Sequence, residues 1–303
     1  MADGDYERGR AREIGAIAAE LKRLAAARSA SAPNQREGRN LLRPKREGRA
    51  PARPPVLVLN GWAASPQAWD LCQFMRAQQV APLPTGTTGV SPVASAPLPR
   101  LFSYVEQLDG EPEKAMEGAE RVVLVGWSMG GSSALRLAAR WPEKVAGLVL
   151  IAATPRMMEE RESGWRGMSP RRLEALRYGL VMTHGEGFFG VPEGKPNPYL
   201  ADEPVNLERG LKYLLETDVR AALEQLRTTN HEPRTTFPVH IFQSERDGVV
   251  RAANADYLKE IFPQATVHIV PGTEHALPIF IPELIDEAVD SCLRLAAAGQ
   301  DIA

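Results

Sequence analysis

Short runs of apolar, often β-branched residues recur along the chain from residue 56 onward, and stretches with apolar positions at helical spacing separate them. Five of these runs are predicted to be strands, and they cover residues 56–59, 121–125, 147–151, 239–242 and 266–270. Strands this continuously apolar are typical of a parallel sheet that is buried on both faces. Their alternation with helices predicts an α/β fold, with a mostly parallel central sheet and helices on both faces.

Two stretches depart from this alternation. Residues 154–231 show helical and loop patterns without a clear strand, so we expect a helical cap inserted into an α/β core of residues 55–153 and 232–297. Residues 1–54 are rich in Ala and Arg, and a narrow stripe of Ile and Leu predicts one short helix within a basic, flexible arm. This arm is either a solvated tail or a docking arm for an acidic partner.

The composition narrows the possible functions. The chain has 303 residues, a formal net charge of −2 and 44% hydrophobic residues, which is ordinary for a soluble protein and argues against nucleic-acid binding. Cys72 and Cys292 lie far apart, so neither a disulfide framework nor a zinc site is expected. No apolar run is long enough to span a membrane, and the N-terminus lacks the apolar core of a secretory signal, so we expect a cytoplasmic location.

A serine motif is the first indication of a catalytic function. Residues 126–130 read Gly-Trp-Ser-Met-Gly and directly follow a predicted strand, and helical apolar spacing continues after them until Pro142. A chain that turns from strand to helix at a serine must bend sharply, and the flanking glycines remove Cβ atoms that would clash there. Ser128 is therefore predicted to be a nucleophile whose hydroxyl projects above the sheet edge.

A serine nucleophile needs a nearby base, and the base needs a group that orients it. Both are available downstream, because Asp247 follows the strand at 239–242 and His275 follows the strand at 266–270. Glu245 is the nearest competitor for the role of the acid. The other four histidines fit the role of the base less well and are expected to be structural or solvent-facing: His184, His231, His240 and His268.

Two backbone N–H groups are expected to stabilise the oxyanion that forms when the serine attacks a carbonyl. One is the amide of Met129, which follows the nucleophile. The other is the amide of Trp62, in the Asn-Gly-Trp loop after the first core strand, where Gly61 permits a close approach. This chemistry requires neither a metal ion nor an organic cofactor, so we expect none.

These motifs together resemble the α/β-hydrolase superfamily, and the resemblance covers about residues 55–297. It is carried by residues 59–62, 126–131, 142–145, 247–250 and 275. Residues 83–91 depart from the superfamily's Asp-x-Pro-Gly-x-Gly-x-Ser loop. The resemblance implies an α/β-hydrolase fold with an inserted helical cap, and a serine hydrolase that works through an acyl-enzyme.

Within this superfamily the chain is similar to the pimeloyl-[acyl-carrier protein] methyl ester esterases of biotin synthesis. The similarity rests on the Asn-Gly-Trp loop, on the tryptophan before the serine, and on residues 165–168 and 214–220. It implies a carboxylic ester hydrolase whose substrate is the methyl ester of pimeloyl-acyl-carrier protein. A general carboxylesterase, a lactonase, a carbon–carbon bond hydrolase and a catalytically silent binding protein on the same fold are the alternatives.

Arginines of the expected cap are relevant to whether the protein binds an acyl-carrier protein. In the resembled family such arginines engage an acidic carrier protein, and residues 156–177 contain six of them against four glutamates: Arg156, Arg161, Arg166, Arg171, Arg172 and Arg177. The whole stretch 154–231 is nearly neutral, with eleven basic and twelve acidic residues. A carrier-docking face and a salt-bridged helix surface therefore explain these arginines equally well.

Overall fold

The computed structural model describes residues 53–76, 97–183, 194–199, 202–227 and 236–298. Nearly all of the predicted arm at residues 1–54 lies outside these ranges, as do the loop at residues 83–91, His184 and His231. Within the described ranges, no helix combines the length and the hydropathy that crossing a membrane requires.

Six parallel strands form one sheet in the order β2-β1-β3-β4-β5-β6. They are β1 (Val56–Leu59), β2 (Arg100–Phe102), β3 (Val122–Trp127), β4 (Val145–Ile151), β5 (Val239–Ser244) and β6 (Thr266–Val270). Five of them lie at the predicted positions, and the predicted α/β fold class is confirmed. The sequence pattern missed β2, because three residues that begin with an exposed arginine do not form an apolar run.

Helices connect each pair of strands that follow one another along the chain, as parallel pairing requires. The α-helices of the described ranges are α1 (Gln73–Arg76), α2 (Tyr104–Leu108), α3 (Glu111–Gly118), α4 (Met129–Arg140), α5 (Pro170–Thr183), α6 (Pro204–Glu216), α7 (Arg220–Glu224), α8 (Ala253–Ile261), α9 (Leu277–Phe280) and α10 (Pro282–Ala297). Short 3₁₀ turns occupy Pro66–Trp69 and Pro142–Lys144.

The two faces of the sheet are covered by two separate hydrophobic cores. Side chains alternate along a strand, so Val123 and Val125 of β3 pack in the core that contains the apolar residues of α10. Val122 and Leu124 point the other way and pack in the core formed with α4 and α8. Because both faces of the central strands are buried, these strands have to be apolar throughout.

The chain between β4 and β5 carries α5, α6 and α7, and a cluster of charged side chains holds its loops together. Arg156 forms an isolated β-bridge with Asp218, and their side chains also pair at 2.7 Å. Arg220 contacts Asp218 at 2.7 Å and Glu160 at 2.8 Å, and its guanidinium lies over the ring of Trp165. These contacts join the loop before α5 to the loop before α7.

Candidate active site

Ser128 lies at a sharp turn between β3, which ends at Trp127, and α4, which begins at Met129. Its backbone has φ 56° and ψ −118°, a strained conformation for a residue with a side chain. The flanking glycines make the turn possible: a Cβ on Gly130 would overlap the carbonyl oxygen of Leu59 in β1. The local sequence therefore produces the bend that the serine motif predicted.

The structure brings His275 and Asp247 to this serine. The Nε2 atom of His275 is 2.8 Å from the hydroxyl oxygen of Ser128, and its Nδ1 atom is 2.8 Å from Oδ2 of Asp247. An ionised carboxylate can only accept, so Nδ1 donates to Asp247 and Nε2 is left to accept from the serine hydroxyl. All three side chains are at most 8% exposed, which shields their hydrogen bonds from water.

The Asp247 carboxylate has three further hydrogen-bond donors. Its Oδ1 accepts from the backbone N–H groups of Val249 at 2.7 Å and Val250 at 3.0 Å, and its Oδ2 faces Nε2 of Gln243 at 3.4 Å. Gln243 is buried in β5 and also donates to the Val250 carbonyl at 2.9 Å. Sequence reasoning missed Gln243, although a glutamine in a strand that is buried on both faces was an available signal.

The loop that carries His275 is anchored from two sides. The indole N–H of Trp127 donates to the backbone carbonyl of His275 at 2.9 Å. The hydroxyl of Ser244, at the end of β5, donates to the backbone carbonyl of Glu274. Trp127, which precedes Ser128, thus holds the backbone of His275, a contact between positions 148 residues apart.

Asn60 organises the loop that follows β1. Its side-chain oxygen accepts from the backbone N–H of Gly61 at 3.1 Å and from the indole N–H of Trp69 at 3.0 Å, while its amide nitrogen donates to the Ala64 carbonyl at 3.0 Å. The buried side chain of Gln107 donates to the Asn60 backbone carbonyl at 2.9 Å. The Asn-Gly-Trp loop is therefore held in one conformation by buried hydrogen bonds, including one from a residue that sequence reasoning missed.

The two amides predicted for the oxyanion belong to this region. Gly61 packs against the nucleophile, since a Cβ on it would lie 3.4 Å from the Cβ of Ser128. This places the loop with Trp62 beside Ser128, and Met129 follows Ser128 at the start of α4. Within the described part of the chain, neither the Trp62 nor the Met129 N–H donates outside the regular helix and strand ladders.

The remaining titratable candidates lie away from the serine. Glu245 is exposed, and His275 donates its hydrogen bond to Asp247, which lies on the same loop as Glu245. His240 and His268 lie in β5 and β6 as predicted, with stacked rings and 3.4 Å between Nδ1 and Nε2. Burial and the neighbouring His268 lower the pKa of His240 to about 4, and burial also lowers the pKa of His268.

A cavity of about 30 Å³ lies at Ser128, which is room for one or two groups the size of a water molecule. Its floor is formed by Gly61, Trp62, Trp127, Ser128 and His275. Its roof is formed by Met157, Leu173, Leu176, Tyr199 and Leu214, all from the chain between β4 and β5, and Val249 completes the lining. Burial, followed by the charge of Asp247, raises the pKa of the Tyr199 phenol, which keeps the roof uncharged.

The described residues contain no group of three or more His, Cys, Asp or Glu side chains arranged to hold a metal ion. A buried hydroxyl, an imidazole oriented by a carboxylate, and backbone amides nearby are the groups that acyl transfer to a serine requires.

Comparison with known proteins identifies the family of this chain. The family model described as alpha/beta hydrolase family matches residues 56–288. A pimeloyl-[acyl-carrier protein] methyl ester esterase from Nitrosomonas europaea is 26% identical over 266 residues, which is 78% of this chain and 95% of that protein. The protein of the same name from Aromatoleum aromaticum is 28% identical and covers 78% and 98% of the two chains. These relatives confirm the resemblance seen in the sequence.

A longer relative and a solved structure are also similar to this chain. A biotin biosynthesis bifunctional protein from Cellvibrio japonicus is 26% identical over 82% of this chain, and the match spans about half of that longer protein, 49%. Among solved structures, a hydrolase from Oleispira antarctica has a TM-score of 0.54 at 17% identity, and the alignment covers 80% and 92% of the two chains. The chain belongs to the alpha/beta hydrolase family, which confirms the predicted fold and agrees with the predicted class of carboxylic ester hydrolase.

Proposed function

We propose that this protein is a serine esterase that cleaves the methyl ester of a pimeloyl group on acyl-carrier protein. The observation that supports it most directly is the hydrogen-bonded line from Ser128 through His275 to Asp247, with 2.8 Å at each step. A serine, a base and an orienting acid in this geometry are the minimum that nucleophilic ester cleavage needs.

In the proposed first half-reaction, Nε2 of His275 takes the proton of Ser128 as the hydroxyl oxygen attacks the ester carbonyl. The backbone N–H groups of Trp62 and Met129 stabilise the oxyanion of the tetrahedral intermediate. His275 then returns the proton to the leaving alcohol, which is methanol for a methyl ester. Asp247 stays ionised throughout and holds the imidazole in the required tautomer.

In the second half-reaction, His275 takes a proton from water, and the water oxygen attacks the acyl-enzyme. The same two amides stabilise the second oxyanion, and Ser128 leaves as the proton returns to its oxygen. The free carboxylate of the acyl group is the product. Each step uses only protons, water and groups of the chain.

The substrate assignment rests on the named relatives and on the lining of the cavity. The pimeloyl chain is a flexible apolar acyl group, and the roof residues are four aliphatic side chains and a neutral phenol. We propose that residues 154–231 act as the cap that supplies this roof, while residues 55–153 and 232–297 supply the floor. Removal of apolar surface from water would then favour the acyl chain over a polar one.

Two cap arginines fit a role in carrier docking. Arg161 and Arg166 are exposed, and neither makes an ion pair with another described residue. Arg156 and Arg177, in contrast, pair with Asp218 at 2.7 Å and with Glu174 at 2.5 Å. A charged pair on the surface leaves little attraction for a partner, so we assign the docking of an acidic carrier to the first two.

The test of the nucleophile is Ser128→Ala. We expect turnover of a p-nitrophenyl ester to fall on the order of a thousandfold or more, and labelling by a fluorophosphonate probe to disappear. Circular dichroism and the unfolding midpoint should stay close to those of the parent, because the substitution removes one hydroxyl. Labelling that persists in this variant would refute the assignment of Ser128.

The test of the substrate is rescue of biotin synthesis in a bacterial strain that lacks its own esterase. The parent chain should restore growth without biotin, and Ser128→Ala should not. If the parent hydrolyses p-nitrophenyl esters but fails to restore growth, the esterase is a general carboxylesterase and the carrier-linked substrate is wrong.

A further inference from the structure

A second and larger cavity, of about 390 Å³, lies beside the loop that carries Asp247. One wall is the start of α5, including Ser169 and Arg172, and the other is the loop after β5, including Arg246 and Arg251. The mechanism above uses none of these four side chains. This cavity therefore lies beside the candidate active site, and the proposed ester cleavage gives it no role.

Three arginines line this cavity together with three acidic residues. Arg172, Arg246 and Arg251 are exposed, and within the described ranges none of them pairs with an acidic side chain. The guanidinium of Arg172 reaches across to the opposite loop, since a Cβ on Gly248 would lie 3.5 Å from one of its nitrogens. The cavity is also lined by Ser169 at the N-terminus of α5, where the helix dipole adds partial positive charge.

Among the described residues, the acidic side chains that line the cavity form no ion pairs with these arginines. Asp247 lines it, but both of its oxygens already accept hydrogen bonds, from His275, Val249 and Val250. Glu159 and Glu245 are exposed and form no ion pair with an arginine in the described part of the chain. Guanidinium groups without a partner bind carboxylates and phosphates through paired hydrogen bonds.

The second cavity adjoins the cavity at Ser128. Val249 lines both, and the neighbouring α5 residues Arg172 and Leu173 line one each. The space at Ser128, about 30 Å³, does not accommodate a whole acyl chain. An ester that reacts at Ser128 therefore has to extend beyond this space, and the arginine cavity, which shares Val249 with it, is an adjoining volume of sufficient size.

We propose that the arginine cavity binds an anionic group, a carboxylate or a phosphate, at the far end of the substrate's acyl chain. The proposal rests on the proposed esterase function and adds a specificity site to it. The cavity selects esters with a distal negative charge over neutral esters of the same length. A carboxylate would come from a free half-ester, and a phosphate from the arm that links an acyl group to its carrier.

Two matched pairs of substrates test the proposal and separate the two sources. Monomethyl pimelate and methyl heptanoate differ in the distal carboxylate, and a methyl pimeloyl phosphopantetheine thioester differs from its pantetheine counterpart in the phosphate. We expect kcat/KM to be about tenfold higher for the charged member of at least one pair at constant ionic strength. Preference in the first pair identifies the half-ester, and preference in the second identifies the carrier arm.

The variants Arg172→Gln, Arg246→Gln and Arg251→Gln should each reduce this preference severalfold, mainly through KM, and the triple variant should abolish it. Arg171→Gln is the matched control, because Arg171 is exposed on the same turn of α5 but does not line the cavity. No preference in either pair, or a preference that the triple variant retains, overturns the site. Failure of the esterase function itself is distinguishable, since then the neutral esters are not hydrolysed either.

Discussion

The floor and the roof of the cavity are built in different ways. The floor is held by the backbone and by buried polar groups: Ser128 has φ 56°, Gly130 lies against the Leu59 carbonyl, and hydrogen bonds at 2.8 Å align Ser128, His275 and Asp247. The roof consists of apolar side chains, and the segment that carries it is joined by partly exposed ion pairs such as Arg156–Asp218.

This difference indicates that the floor and the roof have different roles. Close backbone contacts allow no adjustment, so the reacting groups stay within hydrogen-bond reach of one another. Apolar packing accepts volume-conserving changes, so the roof can be altered without moving the reacting groups. Reactivity should therefore be sensitive to substitutions in the floor, and substrate choice to substitutions in the roof.

The largest contrast should come from adding one methyl group to each region. Gly130→Ala places a Cβ against the backbone oxygen of Leu59, and we expect a loss of more than about 3 kcal/mol in the free energy of unfolding, or no folded protein. Gly210→Ala, in α6 of the segment that carries the roof, places a Cβ against the side chain of Trp62 and not against backbone, so a smaller loss of about 1 to 3 kcal/mol is expected. Urea unfolding followed by fluorescence measures both losses in free energy. Equal losses would contradict the difference in rigidity between the floor and the roof.

Acid should destabilise the protein first through His240, in the sheet beneath the floor of the cavity, and only at lower pH through the ion pairs of the roof segment. The pKa of His240 is about 4 in the folded protein and about 6.5 when unfolded, so the unfolded state binds more protons between these values. The contribution of neutral, buried His240 to the free energy of unfolding is complete above pH 6.5. This free energy should fall by up to about 3 kcal/mol as the pH drops to 4. Urea unfolding at a series of pH values measures this, and His240→Phe should flatten the slope. An unchanged slope would contradict this account.

A smaller effect is expected from the positioning of the acid in the floor. Gln243→Met keeps the volume but removes the amide that faces Asp247 at 3.4 Å and bonds the Val250 carbonyl. We expect kcat to fall about tenfold, which is about 1.4 kcal/mol, with little change in KM. Steady-state kinetics with Gln264→Met as a distant control tests this, and a change confined to KM would assign Gln243 to substrate binding instead.

The smallest effect is expected from the ion pairs of the roof segment. Arg220 lowers the pKa of Asp218 to about 2, so the pair contributes stability above pH 4 that is lost as the pH falls through 2. Partial exposure limits the contribution, and Asp218→Asn should cost no more than about 1 kcal/mol at pH 7. Thermal unfolding in low and high salt measures it, and a loss as large as that of Gly130→Ala would show that the roof is as rigid as the floor.

The positions of the candidate site residues could be predicted because they obey local rules. A serine between glycines after an apolar strand predicts the bend, and the ends of later parallel strands predict where the acid and the histidine lie. Gln107 and Gln243 were missed because their role depends on partners that the sequence does not identify. Gln107 donates to the carbonyl of Asn60, which lies 47 residues away along the chain. The short edge strand β2 was missed because it has little apolar content of its own.

The sequence by itself determined the sheet, the turn at Ser128 and the identity of the groups at its edge, because burial on two faces and close backbone approach each require particular residue types at fixed spacing. The sequence favoured Asp247 over Glu245 as the partner of His275, and the tertiary structure shows that contact; only the tertiary structure decided which arginines share a cavity with the acid loop. That choice depends on distances of a few ångströms between loops that are distant in sequence, and no local pattern encodes such distances.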